Sequence, residues 1–110
     1  MTNIKSCYIN GIKIYSPKRV QELTDYNFFK NKILVAVNAE KIINSNRIQK
    51  DMINENIGYP DGFGAVWALK SKGLKHTFKI SGCDLWLKII EKNHHSKKLF
   101  LIGSTQTVIN

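Results

Sequence analysis

Polar and apolar residues alternate in two short segments near the start of the chain, residues 5–9 and 12–15. A period of two is typical of strands that bury one face, and the Asn10-Gly11 pair between the segments favours a tight hairpin turn. The pattern therefore predicts an N-terminal β-hairpin. Ser16-Pro17 follows, a capping residue ahead of the residue favoured at the first helical position, so we expect a short helix that ends near Asp25.

Further along, short apolar segments alternate with segments whose apolar residues recur at helical spacing. Strands are expected at residues 33–37, 75–80 and 99–102. Helices are expected after Asn38, over residues 47–55, after Gly62 and over residues 85–92. A continuous apolar run such as residues 33–37 is typical of a parallel strand buried on both faces. The alternation predicts one α/β domain, residues 1–110, with a Rossmann-like, mainly parallel sheet, flanking helices and the N-terminal hairpin.

The turn Pro60-Asp61-Gly62 places one carboxylate between an apolar run and the next predicted helix. Pro60 fixes its own φ, while Gly62 can adopt a positive φ and leaves room for a ligand. A carboxylate held on such a turn, at the mouth of an α/β sheet, is well placed to act as a general base. The alternative is that Asp61 only caps the helix that follows, because Asp is a favoured N-cap residue.

Four predicted turns of this kind carry a polar residue or a glycine, at Asn38, Asp61, Asp84 and Gly103. In parallel α/β sheets, ligands bind beyond the carboxyl ends of the strands, in the loops that lead into helices. Several such positions at one sheet edge favour a binding site over a set of unrelated caps. The segment that begins at Gly103 is also typical of a phosphate-binding turn at the start of a helix.

Composition and charge fit a small globular domain with an anionic partner. The 110 residues are 43% hydrophobic and carry a formal net charge of +9, which suits nucleic acid, anionic lipid or a phosphorylated substrate. Only Arg19 and Arg47 are arginine, which argues against direct base readout. No apolar run approaches the roughly 20 residues of a membrane span. Cys7 and Cys83 have no Cys or His at ligand spacing, so we expect reduced thiols in a cytoplasmic protein.

Other notable side chains receive no functional role. His76, His94 and His95 lack acidic or Cys neighbours at metal-binding spacing, so no metal is expected. Dinucleotide, P-loop and G-x-S-x-G motifs are missing as well, and no cofactor is expected. A diphosphate would then be held by backbone N–H groups and basic side chains. Trp67 and Trp86 lie on apolar faces of predicted helices and are expected in the core.

Four ordered motifs resemble the amino-terminal half of the WecG/TagA/CpsF glycosyltransferases. They are ILVAVNAEKI at residues 33–42, YPDGFGAVW at 59–67, ISGCDLW at 80–86 and LFLIG at 99–103, and the hairpin at 8–14 matches the family's opening segment. The resemblance implies inverting transfer of an N-acetylmannosamine-type sugar, or another hexose, from a UDP-sugar to a polyprenyl-diphosphate-linked acceptor. It also implies action at the cytoplasmic face of the membrane, in common antigen, teichoic acid or capsule synthesis, without a metal.

The resemblance also assigns residue roles. Asp61 matches the family's proposed general base, which takes the proton from the acceptor hydroxyl. Asn38 matches an asparagine of the sugar pocket, although capping the next helix is the alternative. The other matched positions, which the resemblance gives to substrate binding or to the loops around it, are Gly62, Lys79, Gly82, Asp84 and Gly103. Lys79 stands where the family usually has Arg, so it offers a point charge without the bidentate fork.

Two departures from the family pattern limit these expectations. Ala36 stands where many members carry threonine near the pocket. The family also continues with further strands and a basic membrane-docking segment, so we expect residues 1–110 to be incomplete relative to the family and to show little or no activity alone. The alternative functions are a non-catalytic basic module that binds anionic lipid or nucleic acid, and a remnant without function. The sugar, the acceptor and the oligomeric state stay open.

Overall fold

A computed structural model of the chain describes residues 4–98. In chain order its elements are β1 (Lys5–Ile9), β2 (Ile12–Ser16), a 3-10 helix (Val20–Thr24), α1 (Tyr26–Phe29), β3 (Leu34–Val37), α2 (Ala39–Asn44), α3 (Arg47–Glu55), β4 (Ile57–Pro60), α4 (Phe63–Ser71) and α5 (Gly82–Asn93). The mixture of strands and helices confirms the predicted α/β class. The strand expected at residues 99–102, and Gly103 after it, lie outside the described residues.

The N-terminal hairpin is confirmed. Strands β1 and β2 pair antiparallel, and Ile9 faces Ile12 across the turn. Asn10 and Gly11 both have a positive φ, 49° and 82°, as a two-residue primed turn requires. The side-chain amide of Asn10 also donates a hydrogen bond of 2.7 Å to the carbonyl of Ile42 in α2. The hairpin is thereby tied to the rest of the domain.

Strands β3 and β4 form a parallel pair, with Leu34 opposite Ile57 and Val37 opposite Pro60. A parallel pair needs a crossover connection, which α2 and α3 supply. Strand β2 lies against β4 on the other side, so β4 stands between the hairpin and β3. The described part of the chain therefore holds a parallel core of the kind expected for a Rossmann-like sheet.

Both faces of the parallel pair are covered by apolar side chains. Along each strand alternate residues point to opposite faces, and two buried clusters result. One cluster contains Ile12, Ile14, Val37, Ile42, Ile53, Ala65 and Leu69. The other contains Leu23, Ile57, Tyr59, Ile80 and Leu85. The predicted flanking helices are thus confirmed, with α4 on the first face and α5 on the second.

The expectation that Trp67 and Trp86 belong to the core is wrong. Their side chains are 76% and 51% exposed. Helix α4 is apolar on nearly every side, so its sequence does not indicate which side faces the sheet. Ala65 and Leu69, one turn apart, occupy the buried side and leave Trp67 in solvent. Helix α3 shows a similar difference, because Ile53 is buried while Ile48 and Met52, which the sequence places one turn apart on an apolar side, are exposed.

Two local expectations about the loops are also wrong. Ser16-Pro17 does not begin a helix, because Ser16 is the buried last residue of β2 and the 3-10 helix begins at Val20. Residues 75–80 do not form a strand. Their backbone bends after α4 because Thr77 bonds back to the carbonyl of Leu74 through both its N–H, at 3.2 Å, and its hydroxyl, at 2.6 Å.

A buried hydrogen bond explains both differences. Because the Thr77 hydroxyl donates to Leu74, it accepts from the hydroxyl of Ser16, at 2.6 Å. Nε2 of His76 donates to the backbone carbonyl of Ser16 at 2.8 Å. These bonds fasten the loop of residues 75–80 to the end of β2. They thereby hold that loop beside the parallel pair without a strand ladder.

We expect Thr77→Val to lower the free energy of unfolding by about 1–3 kcal/mol, because the near-isosteric change leaves the buried Ser16 hydroxyl without this partner. Urea unfolding followed by circular dichroism measures the loss. Ser71→Ala is the control, since its hydroxyl bonds only a carbonyl of its own helix at an exposed site. In the double variant Ser16→Ala/Thr77→Val the cost should fall below the sum of the single costs. Additive costs would show that the two hydroxyls do not stabilise each other.

Candidate active site

The carboxyl ends of β3 and β4 meet at one edge of the sheet. Val37 is opposite Pro60 in the register, so Asn38 and Asp61 are the next residues on adjacent strands. The backbone N–H of Asp61 donates to the carbonyl of Val37 at 3.0 Å, which extends the ladder by one more bond. Neighbouring strands lie about 4.8 Å apart. Asn38 and Asp61 therefore stand side by side where both loops leave the sheet.

The Asp61 carboxylate does not cap helix α4. The N-cap of this helix is Gly62, whose φ of 94° favours glycine, and no side chain accepts a hydrogen bond there. Among residues 4–98, no hydrogen bond or ion pair engages the side chain of Asp61, which is half-buried. The capping alternative for Asp61 is therefore wrong. Its carboxylate is held by the backbone turn and remains accessible at the sheet edge.

Helices α2 and α4 begin next to each other beside this carboxylate. A Cβ atom on Gly64 would lie 2.8 Å from the Cβ of Ala39, so only glycine allows the first turns of the two helices to approach this closely. The first N–H groups of a helix lack partners inside the helix and carry a partial positive charge. The Asp61 carboxylate thus lies beside two helix N-termini, of which that of α2 is capped by Asn38 and already carries Glu40 in its first turn.

Asn38 caps helix α2. Its Oδ1 atom accepts a hydrogen bond of 3.0 Å from the backbone N–H of Lys41. The exposed Asn38 also borders a shallow cleft of about 230 Å³, lined further by Glu40, Lys41, Asn44, Ser45 and Gln49. The structure thus confirms the capping alternative for the Oδ1 atom of Asn38. The NH2 group of the same side chain makes no hydrogen bond within residues 4–98. A role of Asn38 in sugar binding stays a prediction.

Tyr59 is a site residue that the sequence reasoning missed. Its side chain is 5% exposed, and a Cβ atom on Gly82 would lie 3.3 Å from its hydroxyl. Burial raises the pKa of the Tyr59 phenol, and the nearby Asp61 carboxylate and the Cys83 thiol raise it further. One sequence feature could have identified Tyr59. It precedes Asp61 by two residues in an extended segment, and this spacing puts both side chains on the same side of the chain.

Lys79 and Gly82 also reach this part of the molecule. The backbone N–H of Ile80 donates to the carbonyl of Pro60 at 3.0 Å, which places the loop before α5 against the end of β4. The Lys79 ammonium lies 5.2 Å from the centre of the Phe63 ring, at the start of α4. Gly82 lies against the Tyr59 hydroxyl. These two predicted positions are thus close to the Asp61 turn, whereas their contact with substrate stays a prediction.

Asp84 occupies a different setting from the one expected. The predicted turn at residues 81–84 is the beginning of helix α5, which starts at Gly82 rather than at Leu85. The backbone N–H of Leu85 donates to the carbonyl of Ser81 at 3.0 Å, which closes the first helical turn. Asp84 is exposed in this turn, where a negative charge is favoured by the helix dipole. Contact of Asp84 with substrate stays a prediction.

The described residues offer no assembled metal site. Nowhere within residues 4–98 do three His, Cys, Asp or Glu side chains lie close enough to hold an ion together. Cys7 and Cys83 are free thiols, as expected. Among the described helices, none has the length and apolar character that a membrane span requires. Around the Asp61 turn, residues 4–98 present the Asp61 carboxylate, the N–H groups at the start of α4, the Tyr59 hydroxyl and the Lys79 ammonium.

Comparison with known proteins now decides the family. Residues 9–110 match the model of the glycosyl transferase WecG/TagA/CpsF family. The chain belongs to this family. No curated protein and no solved structure gives a match. Membership in the WecG/TagA/CpsF family supports a glycosyltransferase role in cell-surface polysaccharide synthesis.

For this family member we expect Asp61→Asn to lower the pKa of Tyr59 towards its ordinary value near 10, because a negative neighbour disfavours the phenolate. Carbon-13 NMR of Tyr Cζ resolves Tyr59 from the other tyrosines during a pH titration. Asp84→Asn is the matched control and should leave Tyr59 unchanged. An unchanged titration of Tyr59 in Asp61→Asn would contradict the proximity of the two side chains.

The same titration has a consequence for stability. The folded protein holds the Tyr59 proton more tightly than the unfolded chain, so this contribution is complete below about pH 10 and is lost as the pH rises through the folded pKa. Asp61→Asn should therefore reduce the loss of stability above pH 10. Thermal melts between pH 8 and pH 11, compared with Asp84→Asn, measure the difference.

We expect Asn38→Ala to lower the free energy of unfolding by about 1 kcal/mol through loss of the α2 cap. Asn38→Asp keeps an oxygen that accepts from Lys41 and should retain most of the stability. Urea unfolding of both variants measures the cap. If Asn38→Asp loses as much stability as Asn38→Ala, the cap is not the stabilising contact.

Proposed function

We propose that this chain carries the acceptor-activating part of an inverting glycosyltransferase. The reaction moves a hexose or an N-acetylmannosamine-type sugar from a UDP-sugar to a polyprenyl-diphosphate-linked acceptor. The observation that carries this proposal is the Asp61 carboxylate, which has no hydrogen-bond or ion-pair partner within residues 4–98 and stands at the carboxyl edge of a parallel sheet. Membership in a glycosyltransferase family makes an acceptor hydroxyl the natural proton donor for this base.

The proposed chemistry is a single displacement. The Asp61 carboxylate accepts the proton of the acceptor hydroxyl as its oxygen attacks the anomeric carbon. The bond between that carbon and the UDP oxygen breaks on the opposite face, which inverts the configuration. Asp61 is then protonated and the electron pair of the broken bond stays on UDP.

Several groups near Asp61 are suited to the negative charge of UDP. The N-terminal end of α4, which no side chain caps, favours anions, and Lys79 adds a point charge beside it. The Tyr59 phenol, with its raised pKa, stays protonated at neutral pH and keeps an O–H group for hydrogen bonding. We include Asn38, Gly62, Gly82 and Asp84 as proposed substrate-binding positions on the resemblance alone.

The partners in this proposal are the UDP-sugar, the lipid-linked acceptor and the cytoplasmic face of the membrane, and no nucleic acid is required. The non-catalytic alternative, a basic module for anionic lipid, draws on the net charge of +9. One substitution distinguishes the transferase from the binding module. Asp61→Asn leaves the binding of a module unchanged, whereas it abolishes the turnover of a transferase.

We expect Asp61→Asn to lower kcat by about 10²–10⁴-fold, the usual contribution of a general base, without a change in melting temperature. The assay follows transfer of labelled sugar from UDP-sugar to a polyprenyl-diphosphate-linked acceptor. The substitution is made in this chain and at the matching aspartate of an active family member, so that the test does not depend on the turnover of this chain.

Asp51→Asn serves as the control, since that carboxylate is exposed in the middle of α3 and has no role in the proposed site. It should keep turnover within a few-fold of wild type. Unchanged turnover in Asp61→Asn would exclude Asp61 as the base. Efficient transfer by residues 1–110 alone would instead contradict only the expectation that they show little activity.

A further inference from the structure

Helix α4 presents two large aromatic side chains to solvent. Phe63 is 79% exposed and Trp67 is 76% exposed. Residues 63, 67 and 70 recur at helical spacing, so Lys70 continues the same face. This face is opposite to the one that Ala65 and Leu69 bury against the sheet. Packing within residues 4–98 therefore does not account for two aromatic side chains on this face of α4.

The surroundings of this face are basic. Between Asp61 and Asp84 the sequence contains Lys70, Lys72, Lys75 and Lys79 and no acidic residue. All four lysines are exposed. The ammonium of Lys79 lies 5.2 Å from the centre of the Phe63 ring, which extends the aromatic surface by one more cation. We define the α4 aromatic face as Phe63, Trp67, Lys70 and Lys79.

Charge complementarity indicates what covers the α4 aromatic face. Two copies of this chain that met through it would bring lysines together without acidic partners, and such like-charge contacts are unfavourable. A single-stranded nucleic acid binds best in a basic groove lined with stacking platforms, whereas these rings stand on the outer side of one helix. Aromatic rings flanked by lysines on an exposed helix face are typical of segments that lie in the interface of an anionic bilayer.

We propose that the α4 aromatic face docks on the headgroup region of an anionic membrane. Phe63 and Trp67 enter the interface, and Lys70 and Lys79 contact lipid phosphates. Because α4 follows Asp61-Gly62 directly, docking brings the Asp61 carboxylate to the membrane surface, where a lipid-linked acceptor presents its hydroxyl. This last consequence rests on the proposed function, while vesicle binding itself does not.

The test uses the 110-residue chain and vesicles of phosphatidylcholine with 30% phosphatidylglycerol. Trp86→Phe leaves Trp67 as the only tryptophan, because the sequence contains two. We expect the Trp67 emission to shift to the blue on binding and to be quenched by brominated lipid. Vesicles of phosphatidylcholine alone should bind weakly, and 0.5 M salt should release the protein from the anionic vesicles.

Paired variants separate the α4 aromatic face from general charge and general apolar exposure. Phe63→Ala/Trp67→Ala and Lys70→Glu/Lys79→Glu should each lower vesicle binding at least about tenfold, since one lysine near an anionic surface contributes roughly fivefold. The controls remove two exposed apolar side chains, or reverse the same number of lysine charges, elsewhere on the surface and should lower vesicle binding less than threefold. They are Ile48→Ala/Trp86→Ala and Lys30→Glu/Lys88→Glu. Melting temperatures confirm that each variant folds.

Four results would overturn this inference: no binding of the wild-type chain to anionic vesicles, unchanged binding in Phe63→Ala/Trp67→Ala, equal losses in the controls, or a dimer that the aromatic variant abolishes. Tighter binding to single-stranded DNA than to vesicles would also overturn it. The proposed function is judged separately by Asp61→Asn. If this variant keeps turnover while the α4 aromatic face is needed for vesicles, the transferase proposal fails and docking stands. If Asp61→Asn loses turnover while the α4 aromatic face is not needed for vesicle binding, the docking inference fails and the transferase proposal stands.

Discussion

The parallel pairing of β3 with β4 is the constraint on which the site depends. Because Val37 lies opposite Pro60, the two strands end at the same level, and the Asp61 N–H adds one bond to the Val37 carbonyl. A slip of one residue would turn Tyr59 to the other face of the sheet. The two buried clusters, one on each face, oppose such a slip because Val35 and Val37 pack in one cluster and Ile57 and Tyr59 in the other.

The same pairing connects the core to the candidate chemistry. Tyr59 belongs to the buried cluster on the α5 side, yet its hydroxyl reaches the first residue of α5 and its pKa responds to Asp61. A buried phenol thus joins the sheet, the α5 terminus and the acidic turn. The loop of residues 75–80 closes this arrangement, since it is held at one end by the Ser16–Thr77 bond and at the other by the Pro60–Ile80 bond.

Sequence reasoning succeeded where the local pattern has one physical solution. Asn10-Gly11 between alternating segments forms a hairpin whatever surrounds it, and Gly62 after Asp61 fixes the turn before α4. It failed where tertiary contacts choose among local solutions. The apolar residues of α4 surround the helix, so only the sheet decides that Trp67 is exposed. Ser16 looked like a helix cap because its partner, Thr77, lies 61 residues away.

The Asp61 carboxylate is followed in the sequence by a segment that carries only positive charge. From residue 62 to residue 83 the chain carries four lysines and no acid, so Asp61 is an isolated negative charge at the border of a basic surface. In the proposed reaction, Asp61 acts as a base beside a diphosphate and meets electrostatic repulsion from that substrate. In that reaction, the N-terminus of α4 and Lys79 reduce the repulsion. No cation within residues 4–98 pairs with the Asp61 carboxylate. The proposed phosphate binding and the proposed proton abstraction can therefore occur at the same sheet edge without competing for that carboxylate.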